Sequence, residues 1–314
     1  MIGPILIIKT AWGDKSLDYD FRSPSSGLFL PPHDAIEAAN DAGHYYRLII
    51  AYAREVLSDP GRVCPAYDPN VGHVISVFVW FQGWNDMADS KYYPPSSGGT
   101  TKSGVRDYAR YTDLLASFIS DVRNDLNAPD MPFVIGVMGV DGDRTNNDNE
   151  LAFREAEAAP ANLPEFVGNV VAVRTAPFWD DRLGAIDEKK GRVAALARML
   201  ERRDPNGPNA DGHMTVEDQR RYVADYESEL ISPEEEALLE RGASAPGYHY
   251  LGAAKIFAQI GEAFAEALLQ MTRASVDQRG RMHSRGLPAR RDPPDVLTLN
   301  QLRSMNVIDT SKGL

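Results

Sequence analysis

The chain has 314 residues, enough for one large α/β domain or two smaller ones. Its 33 Lys and Arg against 45 Asp and Glu leave a net charge of −12, which excludes a general nucleic-acid binder, because such a protein needs a basic face to displace counterions from phosphate. A single cysteine, Cys64, excludes an internal disulfide framework and a Cys-based zinc site.

The first apolar run, residues 5–10, reads as a core strand that starts almost at Met1. The segment before and within it has neither the basic leader nor the small-residue cleavage site of a secretory signal. Pro31 and Pro32 then precede a helical pattern over 33–57, with Ile36, Ala39, Leu48, Tyr52 and Val56 on one stripe. The second strand pattern, 74–81, is the longest apolar run, far short of the about eighteen residues of a membrane span. A helix follows over 108–126, repeating Tyr111, Leu114, Leu115, Phe118, Ile119 and Val122 at the 3.6-residue period. Runs 133–140 and 170–175 add two more strands. Near-continuous apolar runs suit strands covered on both faces, so the alternation predicts a parallel sheet with helices on both sides.

Residues 184–242 break that rhythm. Charged helical pieces at 192–203, 216–230 and 233–241 flank the polar turn 204–213, and the stretch reads as a helical insertion or lid. The last helix, about 250–271, carries the stripe Ala253, Phe257, Ile260, Phe264 and Leu268. The main domain therefore spans 1–272. Residues 273–314, rich in Arg and Pro and without an apolar period, are expected to form a poorly ordered tail.

Three segments carry residue types suited to chemistry. Trp80-Phe-Gln-Gly-Trp-Asn-Asp86 lies at the carboxyl end of a predicted strand, where open α/β sheets place ligands. Its Asn85 offers an amide donor for an oxyanion, or Asn85 and Asp86 cap the next segment. Thr10-Ala-Trp-Gly-Asp-Lys-Ser-Leu17 follows the first strand. Gly13 can present its N–H to an oxyanion, and Ser16 is either a nucleophile or, more in keeping with its position, a turn cap. Gly247-Tyr-His-Tyr-Leu-Gly252 precedes the last helix, and His249 is either a general base or a ring packed between Tyr248 and Tyr250. Asn209 to Thr215, with Gly212 and Asp218, echoes an EF-hand loop, but Gly207 stands where the first acidic ligand belongs, so a polar turn is the default.

Together these segments resemble the SGNH (GDSL-type) hydrolase superfamily, and within it the sialate O-acetylesterase-like carbohydrate esterases. The resemblance covers about 3–269 and is strongest at Ile5-Leu-Ile-Ile-Lys-Thr-Ala-Trp-Gly13, Val79-Trp-Phe-Gln-Gly-Trp-Asn-Asp86, Thr175-Ala-Pro-Phe-Trp-Asp180 and Tyr248-His-Tyr-Leu-Gly-Ala-Ala-Lys255. It implies a three-layer flavodoxin-like α/β fold. It gives Gly13 and Asn85 the oxyanion and His249 the proton transfer; the acid that orients His249 is left unassigned, with Asp86 and Asp180 as candidates. Gln82, Trp84 and Trp179 are the expected substrate contacts. The implied partner is an acetylated carbohydrate, with no cofactor, metal, nucleic acid or membrane span.

The chain departs from the family pattern at three points. No Gly-Gln-Ser-Asn nucleophile block is present, and the strand that would carry it is expected to be missing. Pro246 stands where the family often has an Asp three residues before the His, and Trp84 stands where related esterases often have Glu. The expectation is a carbohydrate O-acetylesterase that is weak or inactive as this chain. The alternative is a non-catalytic carbohydrate-binding or scaffold protein on a decayed esterase fold. Relatives are often exported, but the chain itself leaves the compartment open.

Overall fold

The computed structural model describes residues 5–29, 41–90, 92–95, 104–283 and 307–309. Its strands are shorter than the apolar runs that announce them: β1 Ile7–Lys9, β2 Phe78–Trp80, β3 Phe133–Val137 and β4 Val170–Arg174, with β5 at Val307–Asp309. Strands β2, β3 and β4 form a three-stranded parallel sheet in that order. Its register sets Phe78 opposite Phe133, and Phe133 opposite Val170. Strand β1 is not part of it. It pairs in parallel with β5, Ile7 against Val307, so the four sequence-predicted strands fall into two sheets and not one. An apolar run specifies that a strand will be buried, not which neighbour it will take.

The helices are α1 His44–Ser58, α2 Trp84–Ala88, α3 Ala109–Asp125, α4 Asp148–Ala158, α5 Asp181–Glu201, α6 Val216–Leu230, α7 Pro233–Gly242 and α8 Ala254–His283. The first long helix begins at His44; residues 30–40, where the pattern starts, lie outside the described residues. Of the tail expected over 273–314, residues 284–306 and 310–314 lie outside them too, while α8 runs on to His283 and 307–309 form β5. Among the described residues no helix is long and apolar enough to cross a membrane.

The chain divides into two compact units. The first takes its described residues from Met1–Met138, Thr145–Arg174 and Gly261–Leu314. Its core is the β2–β3–β4 sheet, whose central strand is buried at all five positions. Successive right-handed crossovers in one direction put α3 and α4 on the same face. Accordingly Tyr111 of α3 meets Phe153 of α4 at 4.7 Å between ring centroids, and Phe118 of α3 lies 4.4 Å from Trp80. The opposite face belongs to α8: a Cβ on Gly136 would lie 2.6 Å from Phe264 Cζ. Side chains alternate along a strand, so Gly136 points away from Phe133 and Ile135, and helices cover both faces. Arg123, buried in α3, donates to the Met131 and Asn169 carbonyls and so ties down the entries to β3 and β4.

The second unit comprises Gly139–Arg144 and Thr175–Ile260. Helices α5, α6 and α7 pack around Ile186, Val193 and Ile231. That core is small, and α6 and α7 carry complete capping boxes, Thr215 with Asp218 and Ser232 with Glu235. Lys189 to Glu235 at 2.6 Å and Lys190 to Glu227 at 2.7 Å join the helices at their margins. The predicted pieces 216–230 and 233–241 match α6 and α7 closely, because caps and charge patterning mark their ends in the sequence.

Candidate active-site residues

In the first unit, the segment after β1 and the segment after β2 are joined by one carboxylate. Asp86, in the short helix α2, is fully buried. Its Oδ2 accepts from Leu17 N at 2.7 Å and Gln82 Nε2 at 2.7 Å; its Oδ1 accepts from Asp18 N at 3.1 Å and Tyr93 OH at 2.8 Å. Gln82 adds a second tie through Nε2 to the Lys15 carbonyl at 3.0 Å. Burial pushes the Asp86 carboxyl up to about 6, against the pull of these four donors. Both oxygens are filled and neither reaches solvent, so Asp86 is a strut between two loops.

Gly13 and Asn85 stand on the two loops so joined. Gly13 is exposed, and nothing lies within 4 Å of the position its Cβ would take. Asp14 follows in the left-handed region at φ 56°, turning the chain sharply. Asn85 is half-buried at the second position of α2, and among the described residues its carboxamide has no hydrogen-bond partner. A backbone open to approach and an uncommitted amide are the donor types an oxyanion needs. Trp84, beside it, is half-buried.

Ser16 is bound to its own turn. Its hydroxyl accepts from Tyr19 N at 3.2 Å and lies 3.3 Å from Asp20 Oδ2, which also takes the Ser16 N–H at 2.8 Å. That is a capping geometry, and the side chain is buried. The hydroxyl is therefore a turn cap rather than an exposed nucleophile.

A second buried carboxyl underlies the same strand ends. Glu157 of α4 accepts from Met138 N at 2.8 Å, just past β3, and a Cβ on Gly83 would collide with its Oε1 and sit 2.6 Å from Phe153 Cε1. Only glycine lets the loop after β2 pass this close to α4. Burial raises Glu157 well above the usual carboxylate range; the Met138 N–H and Arg154 oppose this, and Asp86 adds to it. Alongside, Asp18 is fully buried, with Oδ1 on Arg22 at 2.9 Å and Arg110 at 2.8 Å. Its Oδ2 has no hydrogen-bond partner among the described residues. Sequence reasoning missed Glu157, although its position four residues after Phe153, on a stripe with Ala156, marks it as facing inward.

In the second unit, His249 is exposed on a 3₁₀ turn spanning Gly247–Gly252. Its N–H donates to the Pro246 carbonyl at 2.9 Å and its ring lies 4.4 Å from Tyr248. The turn is held by Gly247 N on Asp187 Oδ2 at 3.2 Å. Next in the chain, Tyr250 and Leu251 take left-handed φ values of 52° and 59°, a costly conformation for such side chains. The buried Tyr250 hydroxyl offsets it, accepting from Gly139 N at 2.6 Å and pairing with Thr175 Oγ1 at 2.6 Å. Asp180 caps α5 through Leu183 N and pairs with Lys255 at 3.1 Å, which holds its carboxyl below the usual range. Within this unit no carboxylate bonds the His249 imidazole. Trp179 is wedged in place, its Nε1 2.7 Å from where a Cβ on Gly184 would be.

The EF-hand echo resolves into a turn. Asn209 bonds the Leu200 carbonyl and Met214 N, and Asp218 is taken up by Thr215 and Arg221. Among the described residues no group of three His, Cys, Asp or Glu is arranged to hold a metal. No family model, curated protein or solved structure matches the chain.

Proposed function

We propose that the chain is an SGNH-type, carbohydrate O-acetylesterase-like protein that recognises acetyl esters on sugars and turns them over weakly. The observation that carries this reading is the strut: Asp86 and Gln82 lock residues 15–18 to residues 82–86 beside the carboxyl end of β2, which is where an open parallel sheet binds ligands. Gly13 and Asn85, the two donors the resemblance assigns to the oxyanion, flank that lock. By the resemblance, His249 would take a proton from an attacking water and give it to the leaving sugar oxygen as acetate is released. Ser16 takes no part, because its hydroxyl is engaged in the turn. Base and oxyanion donors without a seryl nucleophile leave on the order of 10³–10⁴-fold acceleration at most.

The committed Ser16 hydroxyl and the saturated Asp86 also favour the second reading, a carbohydrate binder without turnover. Acetate release from acetylated xylan and from O-acetylated sialate, measured for the chain, S16A and H249A, separates the two. Slow release that S16A keeps and H249A loses is the expected result. Release lost in S16A would make Ser16 the nucleophile and overturn the assignment. Saccharide binding with no release would favour the binder.

A further inference from the structure

The second unit contains a cavity of about 460 Å³. Its floor is apolar, from Leu183, Leu238 and Ile256, of which Leu183 and Ile256 are buried. Its mouth carries Arg182, Lys255 and Asp180. Lys255 and Asp180 pair with each other at 3.1 Å, so their charges largely cancel. Arg182 is exposed, and among the described residues no carboxylate lies within ion-pairing distance of its guanidinium. Glu235, the acid whose charge Arg182 feels, is already taken by Lys189 at 2.6 Å. The mouth thus has one cation in excess over a greasy floor.

The volume equals about fifteen waters, room for a ligand of roughly ten to fifteen heavy atoms. A neutral sugar would leave Arg182 without a partner and wet the leucines. A short free acid would leave the floor empty. An organic cation would meet Arg182 head on. We propose that this cavity is a binding site for a small amphipathic carboxylate, with its apolar tail on Leu183, Leu238 and Ile256 and its carboxylate on Arg182, assisted by Lys255. A guanidinium matches a carboxylate with two parallel hydrogen bonds, which makes Arg182 the anchor. The proposal stands independently of the esterase reading.

Titration calorimetry of the full chain with octanoate tests it, with acetate and octylammonium as controls for tail and charge. The expected result is octanoate binding that weakens at least tenfold in R182Q/K255Q, with no binding of octylammonium and none of acetate at the same concentrations. R182E alone, a change at an exposed position, is expected to abolish octanoate binding, and a thermal melt of each variant verifies folding. Octanoate binding unchanged in R182E, equal binding of octylammonium, or no octanoate binding to the unaltered chain would each overturn the proposal.

Discussion

Replacing Asp86 by Asn tests the physical reading of the strut. The substitution keeps the shape and removes the charge. It also turns an NH2 toward one pair of donors; facing Oδ1's pair, it leaves the Asp18 N–H orphaned while Tyr93 can rotate to accept. The carboxyl of Asp86 rises from 3.8 in the unfolded chain to about 6 in the fold because it is buried. A raised acid favours the native state below the unfolded value, and that contribution is lost as the pH climbs through the folded value. From about pH 4 to pH 7 the loss amounts to about 2 kcal/mol by proton linkage. D86N has no proton to lose at this site. Urea unfolding of both proteins at pH 4 and pH 7 should therefore show the unaltered chain losing about 2 kcal/mol relative to D86N across that interval. A gap that does not move with pH, or one that moves in favour of the unaltered chain, would refute the reasoning: the four donors would then hold the carboxylate at or below its ordinary value.

S16A should cost about 0.5–2 kcal/mol through the lost turn cap, read by thermal melt, with ester turnover unchanged. Y250F removes the hydroxyl that serves Gly139 N and Thr175, leaving a buried N–H unmet; urea midpoints should report about 1–3 kcal/mol of destabilisation. G83A drives a methyl into Glu157 and Phe153, and overpacking there should cost about 1–3 kcal/mol by the same measurement.

Local order was legible where a period or a cap wrote it. The stripe from Tyr111 to Val122 is the buried face of α3, and the charged pieces 216–230 and 233–241 are α6 and α7, which the structure shows opened by Thr215 and Ser232. Pairing was not legible. Nothing in Ile7–Lys9 announces a partner some three hundred residues away, because a parallel ladder is chosen by chain path and not by local composition. Asp86 was visible as an acid in a promising loop, but its work as a four-fold acceptor depends on backbone groups from residues 17 and 18 that no spacing rule connects to it. Glu157 was hidden for the opposite reason. Its charge reads as a solvent-facing position, whereas burial of its neighbours Phe153 and Ala156 carries it inside.

Recognition of an acetyl group through Asn85 is the claim on which the functional account rests. Calorimetric binding of acetylated and chemically deacetylated xylo-oligosaccharides to the unaltered chain and to N85A measures it directly. The account requires tighter binding of the acetylated form by the unaltered chain, and a preference reduced about tenfold or more in N85A. Equal affinity for both forms, or a preference that survives N85A intact, would contradict it.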